Sequence, residues 1–136
     1  MSSISTIALS GMNAATRRIE VSASNVANVM STGALANADG AVPPGAPTAY
    51  APLELVQTAS AGGGTETSVT TAQPSTTGAY DPQASFANKN GLVSAPNVDL
   101  AREFVGQMLA TYSFVANATV MKADDRMTRS LLDVTA

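Results

Sequence analysis

Apolar residues recur at helical spacing at both ends of the chain. Near the N-terminus an apolar residue occurs at every third or fourth position. This spacing places the apolar residues on one face of an α-helix. These positions are Ile4, Ala8, Met12, Ala15, Ile19, Ala23, Val26 and Met30. The helix is predicted to end near Ser31-Thr32-Gly33, where Gly33 can adopt a left-handed stop.

The C-terminal part carries the same pattern over a longer run with an eleven-residue repeat. Its positions are Val98, Ala101, Val105, Leu109, Tyr112, Ala116, Val120, Ala123, Met127, Leu131 and Val134. A helix over about 98–134 would be roughly 55 Å long. Pro96 disfavours helix before it, and Asn97 or Asp99 can cap the start.

Further apolar residues lie beside the C-terminal stripe, namely Phe104, Met108, Val115, Met121 and Leu132. The apolar face is therefore wider than a two-helix seam requires, and a helix of this kind is usually covered by several neighbours. Because both stripes share the eleven-residue repeat, we expect them to pack on each other and the remaining apolar surface to pack on other subunits. The alternative is an ordinary intramolecular helix hairpin.

The middle of the chain differs from both ends. All seven prolines and eight of the ten glycines fall between Gly33 and Pro96, and these residues interrupt helices. Residues 53–58 and 65–70 have some strand character, and Gly62-Gly63-Gly64 between them can turn a hairpin. Residues 34–52 and 71–96 are predicted to be loop or disorder.

The predicted fold class is therefore mainly α, with long terminal helices packed as an antiparallel coiled-coil-like pair and a small irregular or β middle segment. The predicted domain organisation is an N-terminal helix in 1–33, a low-complexity loop with a candidate β-hairpin in 34–96, and a C-terminal helix in 97–136.

Composition argues against catalysis and against several classes of partner. The 136 residues include no Cys and no His, so a Ser-His or Cys-His relay cannot form. The adjacent carboxylates Asp124-Asp125 are interpreted as a solvated helix face, and no cofactor or metal site is expected. The net charge of −3 does not favour nucleic acid or an anionic membrane. No apolar stretch reaches the roughly 20 residues of a membrane span, and no cleaved signal peptide is expected.

Two polar features of the N-terminal helix stand out. Asn25 and Asn28 lie on one helix face, where Asn is a poor interior residue. They indicate either side-chain amides that hydrogen-bond to another helix or cap the ends of a neighbouring chain, or fraying near the helix end. Arg17-Arg18 is too small for a nucleic-acid patch; it can pair with Glu20 or with an acid on a neighbouring subunit.

Three motifs make the sequence similar to bacterial flagellar axial proteins. Residues 23–28, Ala-Ser-Asn-Val-Ala-Asn, resemble their Ala-Ser-Asn-Leu-Ala-Asn signature. Tyr80-Asp81-Pro82, Gly91-Leu92-Val93 and Pro96-Asn97-Val98-Asp99 resemble a run found in rod proteins. Residues 114–118, which include Asn117, resemble an element of the family's C-terminal helix. The order and spacing resemble the flagellar basal-body rod protein family, proximal-rod FlgC type, over residues 1–33 and 80–136. The family's Tyr-Arg-Ala-like element is at most a remnant here, at Tyr50-Ala51.

The resemblance implies a structural subunit of the bacterial flagellar rod. Such subunits are exported unfolded through the flagellar type III apparatus and assemble in the periplasmic space into a hollow tube. The tube transmits torque and passes export substrates. Implied partners are further copies and other rod proteins, with the hook–basal-body adaptor and export gate as further candidates.

The expected assembly residues are the helical positions and motif residues together. They are Ile4, Ala8, Met12, Ala15, Ile19, Ala23, Asn25, Val26, Asn28, Pro96, Asn97, Val98, Asp99, Val105, Leu109, Tyr112, Ala116, Asn117, Val120, Met127 and Leu131. The alternative functions are a secreted helical translocator or effector of a type III secretion system, and a rod or hook paralogue of another layer.

Overall fold

A long helix forms at each end of the chain, as the periodicity predicted. A computed structural model describes residues 3–37 and 39–134. The elements are α1 (Ser3–Ala27), β1 (Leu53–Ala59), β2 (Thr65–Thr71), β3 (Thr76–Tyr80), β4 (Leu92–Pro96) and α2 (Leu100–Val134). Positions 1, 2, 135 and 136, which the predicted terminal domains include, lie outside the described residues.

The predicted hairpin of the middle segment is confirmed. Strands β1 and β2 form a two-stranded sheet, and in the turn between them the Ser60 N–H donates to the Gly64 carbonyl over 3.1 Å. Gly63 and Gly64 have φ angles of 87° and 84°. Because side chains rarely tolerate this region, the glycines are what allow the turn.

A second hairpin corrects the prediction of loop or disorder over 71–96. Strand β3 pairs antiparallel with β4, with Thr76 opposite Pro96 and Tyr80 opposite Leu92. The sequence of β3, Thr-Thr-Gly-Ala-Tyr, has little apolar alternation. Its strand depends on pairing with β4, whose Val93 is fully buried, and such context outweighs strand propensity. The predicted middle domain, 34–96, therefore contains two hairpins.

The described chain forms two compact units. One comprises Ser22–Glu54 and Thr70–Glu103, which we call the hairpin unit. Its core includes Val93 and Ala34. Backbone hydrogen bonds in both directions join Gly33 to Ser94, with lengths of 2.9 and 2.8 Å. The described residues of 34–52, which are 34–37 and 39–52, hold no helix or strand, yet the Tyr50 N–H donates to the Ser31 carbonyl over 2.9 Å.

Gly33 follows α1, but its predicted left-handed conformation is wrong. Positive φ occurs at other glycines of the described chain and not at Gly33. A Cβ atom at Gly33 would instead collide with the backbone of Thr48 and Ala49. Glycine is required here because two backbone segments approach closely.

The other unit comprises Met1–Val21, Leu55–Val69 and Phe104–Ala136, and we call it the helical unit. Its buried apolar residues are mostly alanines, namely Ala8, Ala14, Ala15 and Ala110, with Val21 in addition. Alanine buries little area per residue, but it lets helix backbones approach closely. The core is therefore thin and dominated by small side chains.

Candidate assembly interface

Asn25 ties three segments of the hairpin unit together. Its Nδ2 donates to the Leu53 carbonyl over 2.9 Å and to Glu103 Oε1 over 2.7 Å. Its Oδ1 accepts from the Leu53 N–H over 2.8 Å and from the Tyr50 hydroxyl over 3.1 Å. An Asn amide offers two donors and two acceptor sites, so the side chain, only 3% exposed, is fully satisfied. We call Asn25 and these three partners the Asn25 clamp.

The neighbours of Asn25 extend this network. The Ser22 hydroxyl donates to the Glu103 carbonyl over 3.3 Å, and the Ser24 hydroxyl lies 3.0 Å from that of Tyr50. The motif around Asn25 therefore holds the end of α1 to the start of β1 and the first turns of α2. Of the interpretations left open for Asn25, hydrogen bonding to another helix is the one that the structure bears out, through Glu103 of α2.

Asn28 behaves differently from Asn25. Its Nδ2 donates to the Ser24 carbonyl over 2.9 Å, and its Oδ1 accepts from the Ser31 hydroxyl over 3.3 Å. Both partners lie within four residues, so Asn28 shapes the end of α1 locally. The two asparagines of one motif thus have different roles.

The motif residues around β3 and β4 form the second hairpin and the start of α2. The Asp81 N–H donates to the Gly91 carbonyl over 2.9 Å. Gly91 has a φ of 72°, and a Cβ there would press on Tyr80 and Pro82. At the end of β4, Asp99 Oδ1 accepts from the Ala101 and Arg102 N–H groups over 2.9 and 3.1 Å.

Asp99 is therefore the N-cap of α2. Asn97, the other candidate cap, instead donates through Nδ2 to the Pro74 carbonyl over 3.0 Å. Pro96 itself is buried and Val98 half-buried.

Contacts between α1 and α2 in the helical unit are made by small and polar residues. The Ser5 hydroxyl donates to the carboxylate of Asp124. Gly11 faces the Asn117 side chain so closely that a Cβ at Gly11 would lie 2.6 Å from Asn117 Oδ1. Asp124 is buried, so the interpretation of Asp124-Asp125 as a solvated pair is wrong for Asp124 and right for the exposed Asp125.

The predicted apolar stripe of α2 faces outward. Leu109, Tyr112 and Leu131 are 58%, 69% and 70% exposed. We give the name outward stripe to the exposed stripe positions that are also expected assembly residues; they are Val105, Leu109, Tyr112, Ala116, Val120, Met127 and Leu131. The expectation that the two stripes pack on each other is therefore wrong for α2 within the chain. The helix turns Ala110 and Asp124 inward instead.

The predicted stripe of α1 is split between buried and exposed positions. Ala8 and Ala15 are buried, and Met12 and Val26 are half-buried. Ile4, Ile19, Ala23 and Met30 are exposed. Two of the three alanines of the stripe therefore point inward, and its large residues Ile4, Ile19 and Met30 lie at the surface.

Sequence reasoning missed three of the residues that hold the chain together. Tyr50 was noted only as a remnant of a family motif, Asp124 was interpreted as a surface acid, and no pattern assigned a partner to Glu103. Nothing in their spacing marks them, because their partners lie between 25 and 119 positions away.

The described residues were also searched for metal-binding groups and for membrane-spanning helices. No group of three or more acidic residues there could hold a metal ion. No helix in 3–37 or 39–134 is long and apolar enough to cross a membrane.

Comparison with known proteins agrees with this architecture. The family described as "Flagella basal body rod protein" matches residues 6–34. The family described as "Flagellar basal body rod FlgEFG protein C-terminal" matches residues 89–134. These ranges contain most of α1, with the Asn25 motif, and all of α2.

Individual relatives agree with the family matches. The flagellar basal-body rod protein FlgC of Salmonella typhimurium is 34% identical over 115 residues, which cover 85% of this chain and 83% of that protein. FlgC of Bacillus subtilis is 40% identical over 55 residues, which cover 40% of this chain and 37% of that protein.

The chain is thus a flagellar basal-body rod protein. Within that class it belongs to the FlgC family and serves as a structural subunit of the rod. The family is one of structural flagellar rod proteins.

Proposed function

We propose that this rod subunit self-assembles into a hollow tube through its terminal helices, and that the outward stripe of α2 is the main contact surface between subunits. The observation that carries the proposal is the exposure of that stripe. Large apolar side chains stand outward along α2, whereas Ser5, Asp124 and Asn117 serve the contacts within the helical unit.

An antiparallel arrangement of α1 and α2 is part of the proposal. Ser5 contacts Asp124, and Gly11, further along α1, faces the earlier residue Asn117 of α2. Residue numbers thus rise along one helix as they fall along the other. The seam is lined by glycine, alanine and polar groups, which frees the apolar residues for neighbours.

The exposed apolar surface of α2 and the dependence of such helices on packing both support a role of the outward stripe in assembly. An exposed apolar patch on this scale is costly in a monomer and marks an interaction site. Helices of this kind gain most of their stability from packing rather than propensity. In the proposal, subunits above and beside each chain bury the outward stripe, and the tube transmits torque and passes export substrates.

Location and export complete the proposal. Membership of the rod family supports the flagellar basal body as the location. Export unfolded through the type III apparatus, without a cleaved signal, and assembly in the periplasmic space are proposed with it. The thin alanine core and the absence of Cys suit a chain that passes through the export channel unfolded.

The proposed partners are further copies and other rod proteins. The hook–basal-body adaptor and export gate are proposed as further contacts at the two ends of the rod. The alternative of a secreted translocator or effector has less support, because the relatives are rod proteins over most of the chain.

Deletion of either helix tests the proposal. Chains lacking residues 1–30 or 98–136 should leave flagella stalled before the hook, as seen by microscopy of isolated basal bodies. Export of each truncated chain is measured in parallel, so that loss of assembly is separated from loss of export. Normal basal bodies and motility after both deletions would exclude the proposed role.

A further inference from the structure

A cleft opens between α1, α2 and the first hairpin within the helical unit. Its volume is about 210 Å³, enough for several waters or one polar side chain. The walls are formed by helix residues such as Gly11, Arg18 and Asn117, and by Gln57 and Thr65 of the hairpin. None of the residues in 3–37 and 39–134 that line the cleft is acidic.

Among the described residues in the wall of this cleft, Arg18 is the only charged one. Its Nη2 donates to Gln57 Oε1 over 3.0 Å, and within residues 3–37 and 39–134 it forms no ion pair. Its neighbour Arg17 differs, because Arg17 Nη1 pairs with Glu20 over 2.9 Å on the exposed side of α1. Arg18 is half-buried, so the cleft holds a positive charge without a counter-ion.

Thr65 provides a second, independent observation. Its hydroxyl oxygen is buried and has no hydrogen-bond partner among the described residues. The backbone N–H of the same residue is satisfied, because it donates to the Ser10 hydroxyl over 3.1 Å. Since buried polar groups are nearly always paired, we expect the Thr65 side chain to rotate toward a hydrogen-bonding group that enters the cleft.

A carboxylate fits both observations. It is an acceptor with two oxygens, so it can take N–H groups from a guanidinium and an O–H from a hydroxyl at once. A cationic or purely apolar side chain would leave either the Arg18 charge or the Thr65 hydroxyl unmatched. The cleft thus has the chemistry of a receptor for one acidic side chain.

We propose that this cleft receives an aspartate of α2 from a second copy of the chain, Asp125 or Asp133. Both aspartates are exposed, and neither takes part in an ion pair within the described chain. The cleft and the aspartates lie on different parts of the surface. A contact in which the cleft of one copy binds an aspartate of the next copy is therefore head-to-tail, and such a contact can repeat along a filament. The inference rests on the proposed self-assembly. It adds a specific ion pair between subunits to the apolar contacts of the outward stripe.

Carbodiimide crosslinking in isolated basal bodies tests the proposal. An R18K chain that also carries D125N and D133N is co-expressed with the native chain. Any crosslinked peptide joining position 18 to Asp125 or Asp133 must then come from two copies. We expect this peptide by mass spectrometry, and a matched R17K chain should give mainly the link to its own Glu20.

The native chain supplies a measurement that does not depend on the variant assembling. Arg18 should react with phenylglyoxal in the free chain and be protected at least about tenfold in basal bodies, as expected for a buried, paired guanidinium. Equal reactivity in the two states would mean a cleft filled by water alone and would overturn the proposal.

Two further outcomes are also decisive. A crosslink from position 18 only to an acid of a different protein would overturn the second copy as occupant. Absence of the native chain from the basal bodies would instead overturn the proposed function itself, so the two failures are distinguishable.

Discussion

The side-chain amide of Asn25 donates to Glu103 Oε1 over 2.7 Å, joining residues 78 positions apart. The same amide also holds both backbone polar groups of Leu53. One buried residue near the end of α1 therefore fixes where β1 begins and where α2 lies in the hairpin unit.

Replacing Asn25 by alanine should destabilise the folded chain strongly. The change leaves the half-buried N–H and carbonyl of Leu53 and the carboxylate of Glu103 without a protein partner. A fully buried group would lose on the order of 1–3 kcal/mol, but water can replace part of each bond here. We expect the free energy of unfolding to fall by about 2–4 kcal/mol, measured by urea denaturation followed by circular dichroism.

Asn28 provides the matched control for Asn25. Its bonds are local to the end of α1, so N28A should cost less than about 1 kcal/mol. If N25A and N28A lowered the free energy of unfolding equally, the conclusion that Asn25, and not Asn28, holds distant segments together would be wrong.

Gly11→Val should push α1 and α2 apart in the helical unit. The first added carbon would already lie 2.6 Å from Asn117 Oδ1, so a helix or the Asn117 side chain must move. Overpacking of this kind costs about 1–3 kcal/mol. The same denaturation measurement checks it.

A glycine of α2 serves as the control for Gly11. A Cβ at Gly106 would meet nothing within 4 Å, so G106A should stabilise the helix by about 0.5–1 kcal/mol. If G11V left stability unchanged, the close approach of the two helices would be wrong.

Gly33→Ala should disrupt the packing that follows α1. Its Cβ would collide with the backbone of Thr48 and Ala49, which cannot rotate away as a side chain can. We expect a loss of at least about 2 kcal/mol. Gly78→Ala, at a site with open space around it, should be tolerated, and hydrogen exchange of the Ser94 amide in both variants would reveal whether the Gly33 bridge survives.

Leu109→Asp or Val120→Asp should block assembly while leaving the free chain folded. Both side chains are about half-exposed or more in the chain, so the change is tolerated there, but it would place an unpaired charge in a buried subunit contact. Incorporation into basal bodies, quantified by immunoblot, should fall at least about tenfold, since such a charge costs several kcal/mol.

Thr119→Asp is the control for the stripe variants. Thr119 is an exposed residue beside Val120, and its hydroxyl bonds only within α2, to the Val115 carbonyl. Incorporation of L109D and V120D at the level of T119D would count against burial of the outward stripe.

The sequence by itself determined the two terminal helices and the first hairpin. Periodicity is a local property, so the apolar spacing from Val98 to Val134 was enough to predict α2, and Gly63 and Gly64 were enough to predict a turn. The start of α2 was also predictable, because an N-cap such as Asp99 acts on N–H groups two and three residues away.

Only the tertiary structure decided which face of each helix points inward. Hydrophobicity alone favoured burying Leu109 and Tyr112, yet the chain buries Ala110 and Asp124 instead. Glycine and alanine allow a close approach, and Ser5 supplies the partner that makes a buried carboxylate tolerable. The strand β3 likewise depends on β4, and the partners of Asn25 lie too far along the chain for any local pattern to reveal them.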